Sequence, residues 1–115
     1  MGYIYLASPY SHSSARVRCE RYWAALQKAA DIMATGQSVF CPIAHSHPIS
    51  EHVTSPLAHS FDFWMRMDLP LLYKAEALWV YQLDGWEESK GITREVAEAT
   101  AHGIIIKYLP TQESP

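Results

Sequence analysis

Ala77-Leu78-Trp79-Val80-Tyr81-Gln82-Leu83 is an apolar and aromatic run that lacks the regular polar alternation of a half-solvated strand. Such a run predicts a strand covered on both faces, the situation of a parallel sheet flanked by helices. Upstream, Tyr3-Ile4-Tyr5-Leu6-Ala7 is a second short strand candidate, stopped by the turn formers Ser8-Pro9-Tyr10-Ser11-His12-Ser13-Ser14. From Ala15 onward Cys19, Tyr22, Leu26, Ala29, Ala30 and Met33 recur at three- and four-residue steps as far as Gly36, which predicts a helix closed by glycine. Ser38 to Ile43 reads as a strand with Pro42 at its end or on a sheet edge, because proline cannot donate to a ladder. Downstream, Ile92, Val96, Ala99 and Gly103 mark a helical stripe, and Gly103 to Leu109 the last strand.

Between these elements, residues 44–60 hold four of the six histidines together with Pro48 and Pro56 and show no sustained period, so a long loop with at most a short helical turn is expected. Phe61 to Lys74 is helical in pattern. Pro70 would clash with an uninterrupted helix, so a break is expected at Asp68, acting as N-cap and placing Pro70 in a new first turn. Asp84 to Lys90 is expected as a loop. Strand and helix thus alternate, the pattern of a three-layer α/β domain with four mainly parallel strands and right-handed crossovers. Residues 1–110 are read as one domain and 111–115 as a frayed tail. Ligands of such sheets bind beyond the carboxyl ends of the strands.

The chain has 115 residues, 49% hydrophobic and 18% charged, with a formal charge of -3. That balance excludes disorder for most of the chain and offers no basic excess for a nucleic-acid polymer. The longest apolar runs, Tyr3 to Ala7 and Ala77 to Tyr81 among them, fall far short of the roughly 20 residues that span a bilayer. Two lone cysteines, Cys19 and Cys41, are not a secreted disulfide framework, and no charged leader precedes the first strand, so a cytoplasmic protein is expected.

Among the polar residues Glu95 stands out. It is expected in the opening turn of the helix after the third strand, where unpaired N–H groups favour an anion, and is therefore expected to be ionised at neutral pH. Ile92 and Ala99 put it on the face that meets the sheet, whereas Arg94 and Glu98 form a solvent-side pair. Read by itself, Glu95 is equally a glutamate serving the helix dipole.

Tyr5-Leu6-Ala7-Ser8-Pro9-Tyr10, the Asp68-Leu69 pair, and Gly85-Trp86-Glu87-Glu88-Ser89-Lys90-Gly91-Ile92-Thr93-Arg94-Glu95-Val96-Ala97-Glu98-Ala99 together, in order and spacing over nearly the full chain, resemble the nucleoside 2-deoxyribosyltransferase superfamily. More narrowly, the chain resembles a small bacterial branch bearing the Ser-Pro-Tyr-Ser and Gly-Trp-Glu-Glu-Ser-Lys-Gly motifs, and it is also similar to 2'-deoxynucleoside 5'-phosphate N-hydrolases. The resemblance implies a flavodoxin-like, Rossmann-like fold and cleavage of the N-glycosidic bond of deoxynucleosides or their 5'-monophosphates, by hydrolysis or base transfer. It places the glutamate nucleophile at Glu95, in Gly-x-x-x-Glu-x-x-x-Ala from Gly91, a carboxylate suited to trapping or neutralising an oxocarbenium-like sugar. It implies that Tyr5 orients this nucleophile, where the plain alternative is a packed core tyrosine. It implies that Asp68 contacts the substrate and protonates the leaving base, besides its expected capping.

Ser8, His45, Trp86, Ser89 and Gly91 are read as the substrate-binding residues. Ser89 occupies the position at which transferases of free nucleosides carry aspartate and monophosphate hydrolases carry serine, which favours a 5'-phosphate, while a simple turn role stays open. Glu87 and Glu88 argue against an anion. His45 borders the base pocket in this reading, and Trp86, in a loop, is the candidate for stacking on a base. His45-Ser46-His47 with His52, His59 and Asp62 lack a dependable ligand set, so no metal is expected, and no organic cofactor. The rival readings are a catalytically idle nucleotide-binding module and a nicotinamide-dinucleotide glycohydrolase. The abundance of Tyr and Trp over Phe, seven and four against three, together with the resemblance, implies a homo-oligomer, most simply a twofold dimer.

Overall fold

The computed structural model describes residues 2–56 and 60–111. The order is β1 (Ile4–Ala7), α1 (Ala15–Met33), β2 (Val39–Phe40), α2 (Pro42–Ser50), α3 (Phe61–Tyr73), β3 (Ala77–Gln82), a single 3-10 turn (Trp86–Glu88), α4 (Lys90–Ala101) and β4 (Ile105–Pro110). All strands are parallel, in the order β2-β1-β3-β4, so β1 and β3 are the inner pair. The run that suggested a strand covered on both faces is β3. Its register pairs Tyr5 with Leu78 and Ala7 with Val80.

Strand alternation sorts the core into two layers. Tyr5, Ala7, Leu78 and Val80 pack with Met65, Leu69 and Leu72 of α3 and Ile92 and Ala99 of α4. Leu6 faces the other way, onto Ala25, Ala29 and Ile32 of α1 with Cys41 and Ile43. The expected three-layer α/β architecture is what is found. α1 begins where its periodicity begins, with Ser14 Oγ accepting from the Val17 N–H at 3.3 Å, and the turn after it closes on Gly36 at a φ of 93°.

Three expectations are corrected. The second strand is only Val39–Phe40, and Pro42 opens α2 at its first turn, where a missing donor is harmless. α2 replaces much of the expected loop. Its sequence shows no amphipathic stripe, and it is held by tertiary contacts instead: His47 stacks on Tyr22 at 4.1 Å and its Nδ1 pairs with the Tyr10 hydroxyl at 2.5 Å. α3 runs through Pro70 without a break at Asp68. Its N-cap is Ser60, whose Oγ accepts from the Phe63 N–H at 3.0 Å, so Asp68 is a mid-helix residue and not a cap. The donor that proline lacks would have served Arg66, and both residues lie on the exposed side, where the interruption costs least.

Candidate active site

The sheet and the α3–α4 layer bring three chemically active side chains together in the interior. Tyr5 is fully buried and its hydroxyl donates to Glu95 Oε2 at 2.5 Å. Glu95 projects from the buried stripe Ile92, Glu95, Ala99 of α4, while the solvent-side Arg94 and Glu98 pair at 2.9 Å, as the helical spacing predicts. Asp68, also buried, lies on α3 among Met65, Leu69 and Leu72.

Glu95 is not in the first turn of α4. The helix starts at Lys90 with Ser89 as its cap, so Glu95 stands in the second turn, beyond the reach of the free N–H groups. The expectation of an ionised carboxylate is corrected accordingly. Burial pushes Glu95 from 4.5 up to about 8; the Tyr5 hydrogen bond pulls the other way, and the negative charge of Asp68 adds to the upward push. Burial raises Asp68 from 3.8 to about 6. At neutral pH the two carboxyls therefore hold close to one proton between them, with Glu95 the better holder while the site is empty. Tyr5 is raised well above 10.0 by burial and by Glu95, and stays a donor. The Cys41 thiol, at the start of α2 and within electrostatic reach of both, is also pushed up by burial and stays neutral.

A cavity of about 320 Å³ opens beside Asp68, between α2 and α3, walled by His45, Ile49, Phe63, Trp64 and Met67. His45 is exposed and tilts against Phe40 at 5.8 Å. The aromatic wall is thus Phe63 and Trp64, not Trp86. Trp86 lies in the 3-10 turn, half-buried against the α4 side of the core and 5.7 Å from the Tyr108 ring. No surface property of the sequence distinguishes Trp64 from a core tryptophan, which is why its place on the cavity was not legible.

Ser8 follows β1 at its carboxyl end, and its buried Oγ has no hydrogen-bond partner among the described residues. Ser89 Oγ accepts from the Ile92 N–H at 3.1 Å, which leaves the hydroxyl hydrogen uncommitted by that bond. A Cβ on Gly91 would meet Ser89 Oγ at 3.7 Å and Met65 Cε at 4.0 Å, ordinary contacts, so space alone does not demand glycine there. Glu87 and Glu88 are both exposed. His59 lies outside the described residues, and among the described residues no three His, Cys, Asp or Glu converge as metal ligands. No helix among them is long and apolar enough to cross a membrane.

A family model described as "Domain of unknown function (DUF1937)" matches residues 2–109. No curated protein matches the chain. Among solved structures, a 2-deoxyribosyltransferase from the psychrotolerant bacterium Bacillus psychrosaccharolyticus superposes with a TM-score of 0.65 at 18% identity, over 97% of this chain and 74% of that one. The fold is therefore nucleoside 2-deoxyribosyltransferase-like.

Proposed function

For this chain, which belongs to the DUF1937 family, we propose an enzyme that cleaves the N-glycosidic bond of 2'-deoxynucleosides or their 5'-monophosphates, with Glu95 as nucleophile. The observation that carries this reading is the buried Tyr5–Glu95 hydrogen bond with a second buried carboxylate, Asp68, beside it. Two carboxyls sharing about one proton supply what glycosidic cleavage needs, an anion for the sugar and an acid for the leaving base. The fold likeness to a 2-deoxyribosyltransferase supports the same class.

With substrate bound, the shared proton moves to the Asp68 side, because the developing sugar cation favours the anion at Glu95. The C1'–N bond breaks and its electron pair leaves with the base, whose nitrogen takes the proton from Asp68. A Glu95 oxygen bonds to C1', and Tyr5 holds the other oxygen in place. Water or a second base then attacks C1' as the Glu95 O–C1' bond breaks, and the proton that the water or base nitrogen sheds returns to the Asp68–Glu95 pair, completing hydrolysis or transfer. The aromatic cavity beside Asp68 receives the base, with His45 at its rim. Ser89 and Ser8 contact the sugar end, and neither a metal nor an organic cofactor takes part.

The test is incubation of the full chain with mixed deoxynucleosides, their 5'-monophosphates and a nicotinamide dinucleotide, followed by mass spectrometry. Release of free base or of a base-exchanged nucleoside, abolished in Glu95→Gln, is the expected result. Intact ligands throughout would leave a binding module, and release of nicotinamide alone would replace the substrate class.

A further inference from the structure

Arg21 of α1 reaches out of the α1 layer to the loops at the carboxyl edge of the sheet. Its Nη1 donates to the Ser11 carbonyl at 2.9 Å and its Nη2 to the Asp84 carbonyl at 3.3 Å. Ser11 belongs to the segment leaving β1, the strand of Tyr5, and Asp84 to the segment leaving β3 toward α4, the helix of Glu95. One guanidinium thus ties together the exits of the two inner strands. A second observation agrees. Gly85 has a φ of 91°, and a Cβ there would stand 2.3 Å from Arg21 Nη2 and 3.3 Å from its Cζ. A side chain there would push the guanidinium aside, and the left-handed backbone conformation itself favours glycine.

The connection from Asp84 to Glu95 is short and bonded throughout. The Trp86 N–H donates to the Leu83 carbonyl at 2.9 Å and the Ser89 N–H to the Trp86 carbonyl at 3.3 Å, and Ser89 caps α4. A shift at Asp84 is passed through one 3-10 turn to the axis of α4, and so to the carboxyl that must meet the Tyr5 hydroxyl. On the other side, Arg18 donates to the His12 carbonyl and steadies the same first loop. We propose that Arg21 is a positioning residue for Glu95: it fixes the β3–α4 connection against the β1 exit and so sets the Tyr5–Glu95 contact, a role that rests on the function proposed above. The planar fork of arginine suits two carbonyls on separate loops, whereas lysine presents a point charge that satisfies one of them well.

The experiment compares Arg21→Ala, Arg21→Lys and Gly85→Ala with the parent chain. One readout needs no substrate: the pH at which the Glu95 side-chain carboxyl titrates by 13C NMR, its resonance being the one lost in Glu95→Gln. Loosening the contact takes from Glu95 the hydrogen bond that favours its anion, so the midpoint should rise above about 8, by about 1 pH unit in Arg21→Ala and by less in Arg21→Lys. Gly85→Ala should move it in the same direction with Arg21 still present. The other readout is kinetic: kcat should drop by about tenfold or more while KM stays within about threefold, since positioning is felt in the transition state. An unmoved midpoint in the folded variants overturns the proposal, as does a moved midpoint with unchanged kcat. Should Arg21→Ala fail to fold, Arg21→Lys and Gly85→Ala decide. A moved midpoint in a chain that cleaves no glycosidic bond even as the parent supports the clamp and instead sinks the enzymatic reading.

Discussion

The Tyr5 hydroxyl and Glu95 Oε2 meet at 2.5 Å across the interior, from the inner strand β1 to the second turn of α4. Ninety positions separate the two residues in sequence. Both are buried, so the bond is not diluted by solvent, and it is the one influence on Glu95 that favours the anion against burial and Asp68. A buried tyrosine whose own acidity is suppressed makes a dependable donor for that purpose.

Tyr5→Phe follows directly. Removing the donor should raise the pH at which Glu95 titrates above about 8, and the descending limb of kcat/KM against pH, where the pair loses its last proton, should move up with it. Stability should fall by about 1–3 kcal/mol, because a buried carboxyl loses its partner. Denaturant titration and a pH–rate profile measure the two effects. A profile identical to the parent's would remove Tyr5 from the mechanism.

The two carboxyls also dictate how stability varies with pH. Glu95 holds its proton more tightly when folded, about 8, than its ordinary 4.5, and Asp68 does likewise, about 6 against 3.8. In those windows the native state binds more protons than the unfolded chain. Their stabilising contribution is therefore complete below about 4 and declines as pH rises, through about 6 for Asp68 and about 8 for Glu95. Glu95→Gln should flatten the decline above pH 5 and be the more stable protein at pH 9. Thermal melts of parent and variant over that range check it; parallel curves would mean that Glu95 is not buried as a neutral acid.

Asp68→Asn separates proton delivery from binding. Asparagine fills the same space but donates no proton to a departing base, so turnover of ordinary deoxynucleosides or their monophosphates should drop by a factor on the order of 10² to 10⁴. A substrate whose base is already cationic, such as a 7-methylated purine, needs no such proton and should lose much less. Equal losses for both substrates would limit Asp68 to a structural or binding role.

What the sequence made legible follows periodicity. α1, α4 and β3 have clean 3.6-residue or continuous apolar patterns and were readable, and so was the placing of Glu95 on the sheet-facing stripe of α4. α2 was not, because a helix of Pro, His and Ser with only Pro42 and Ile43 buried has no stripe to read and depends on Tyr10 and Tyr22 from elsewhere. Pro70 gave a false break, since the rule against mid-helix proline is weakest on an exposed helix side. The protonation state of Glu95 escapes a sequence reading for a related reason. A helix-start argument is local, whereas desolvation by three packed elements is a property of the assembled core, and here it is the larger effect.

The outer side of the cavity bears on assembly. Ile49, Met67 and Leu71 are 41%, 47% and 38% exposed and line the same opening, an apolar rim that a second copy of the chain would cover and close. A twofold dimer is the expected state, with light scattering at micromolar concentration giving twice 13.0 kDa, and Met67→Lys shifting the mass toward that of one chain. A mass of one chain for the parent protein would rule the dimer out.

Ser89 is the position at which to test nucleotide against nucleoside, and the structure makes it a clean site to change. Its Oγ caps α4 through the Ile92 N–H, a task that aspartate performs as well as serine, so Ser89→Asp should fold normally. If the hydroxyl also donates to a 5'-phosphate, the variant sets a carboxylate against a group carrying about -1.5 to -2 charge, and the repulsion in a partly desolvated cleft should make monophosphate turnover collapse. Free deoxynucleosides should be turned over as well or better, because aspartate accepts the 5'-hydroxyl hydrogen. The informative quantity is the ratio of kcat/KM for the two substrate classes, which cancels any general damage to α4 or to Glu95. A ratio unchanged from the parent's would confine Ser89 to its capping bond and leave recognition of the sugar's 5' end to other residues, with the buried and unpartnered hydroxyl of Ser8 the next to test.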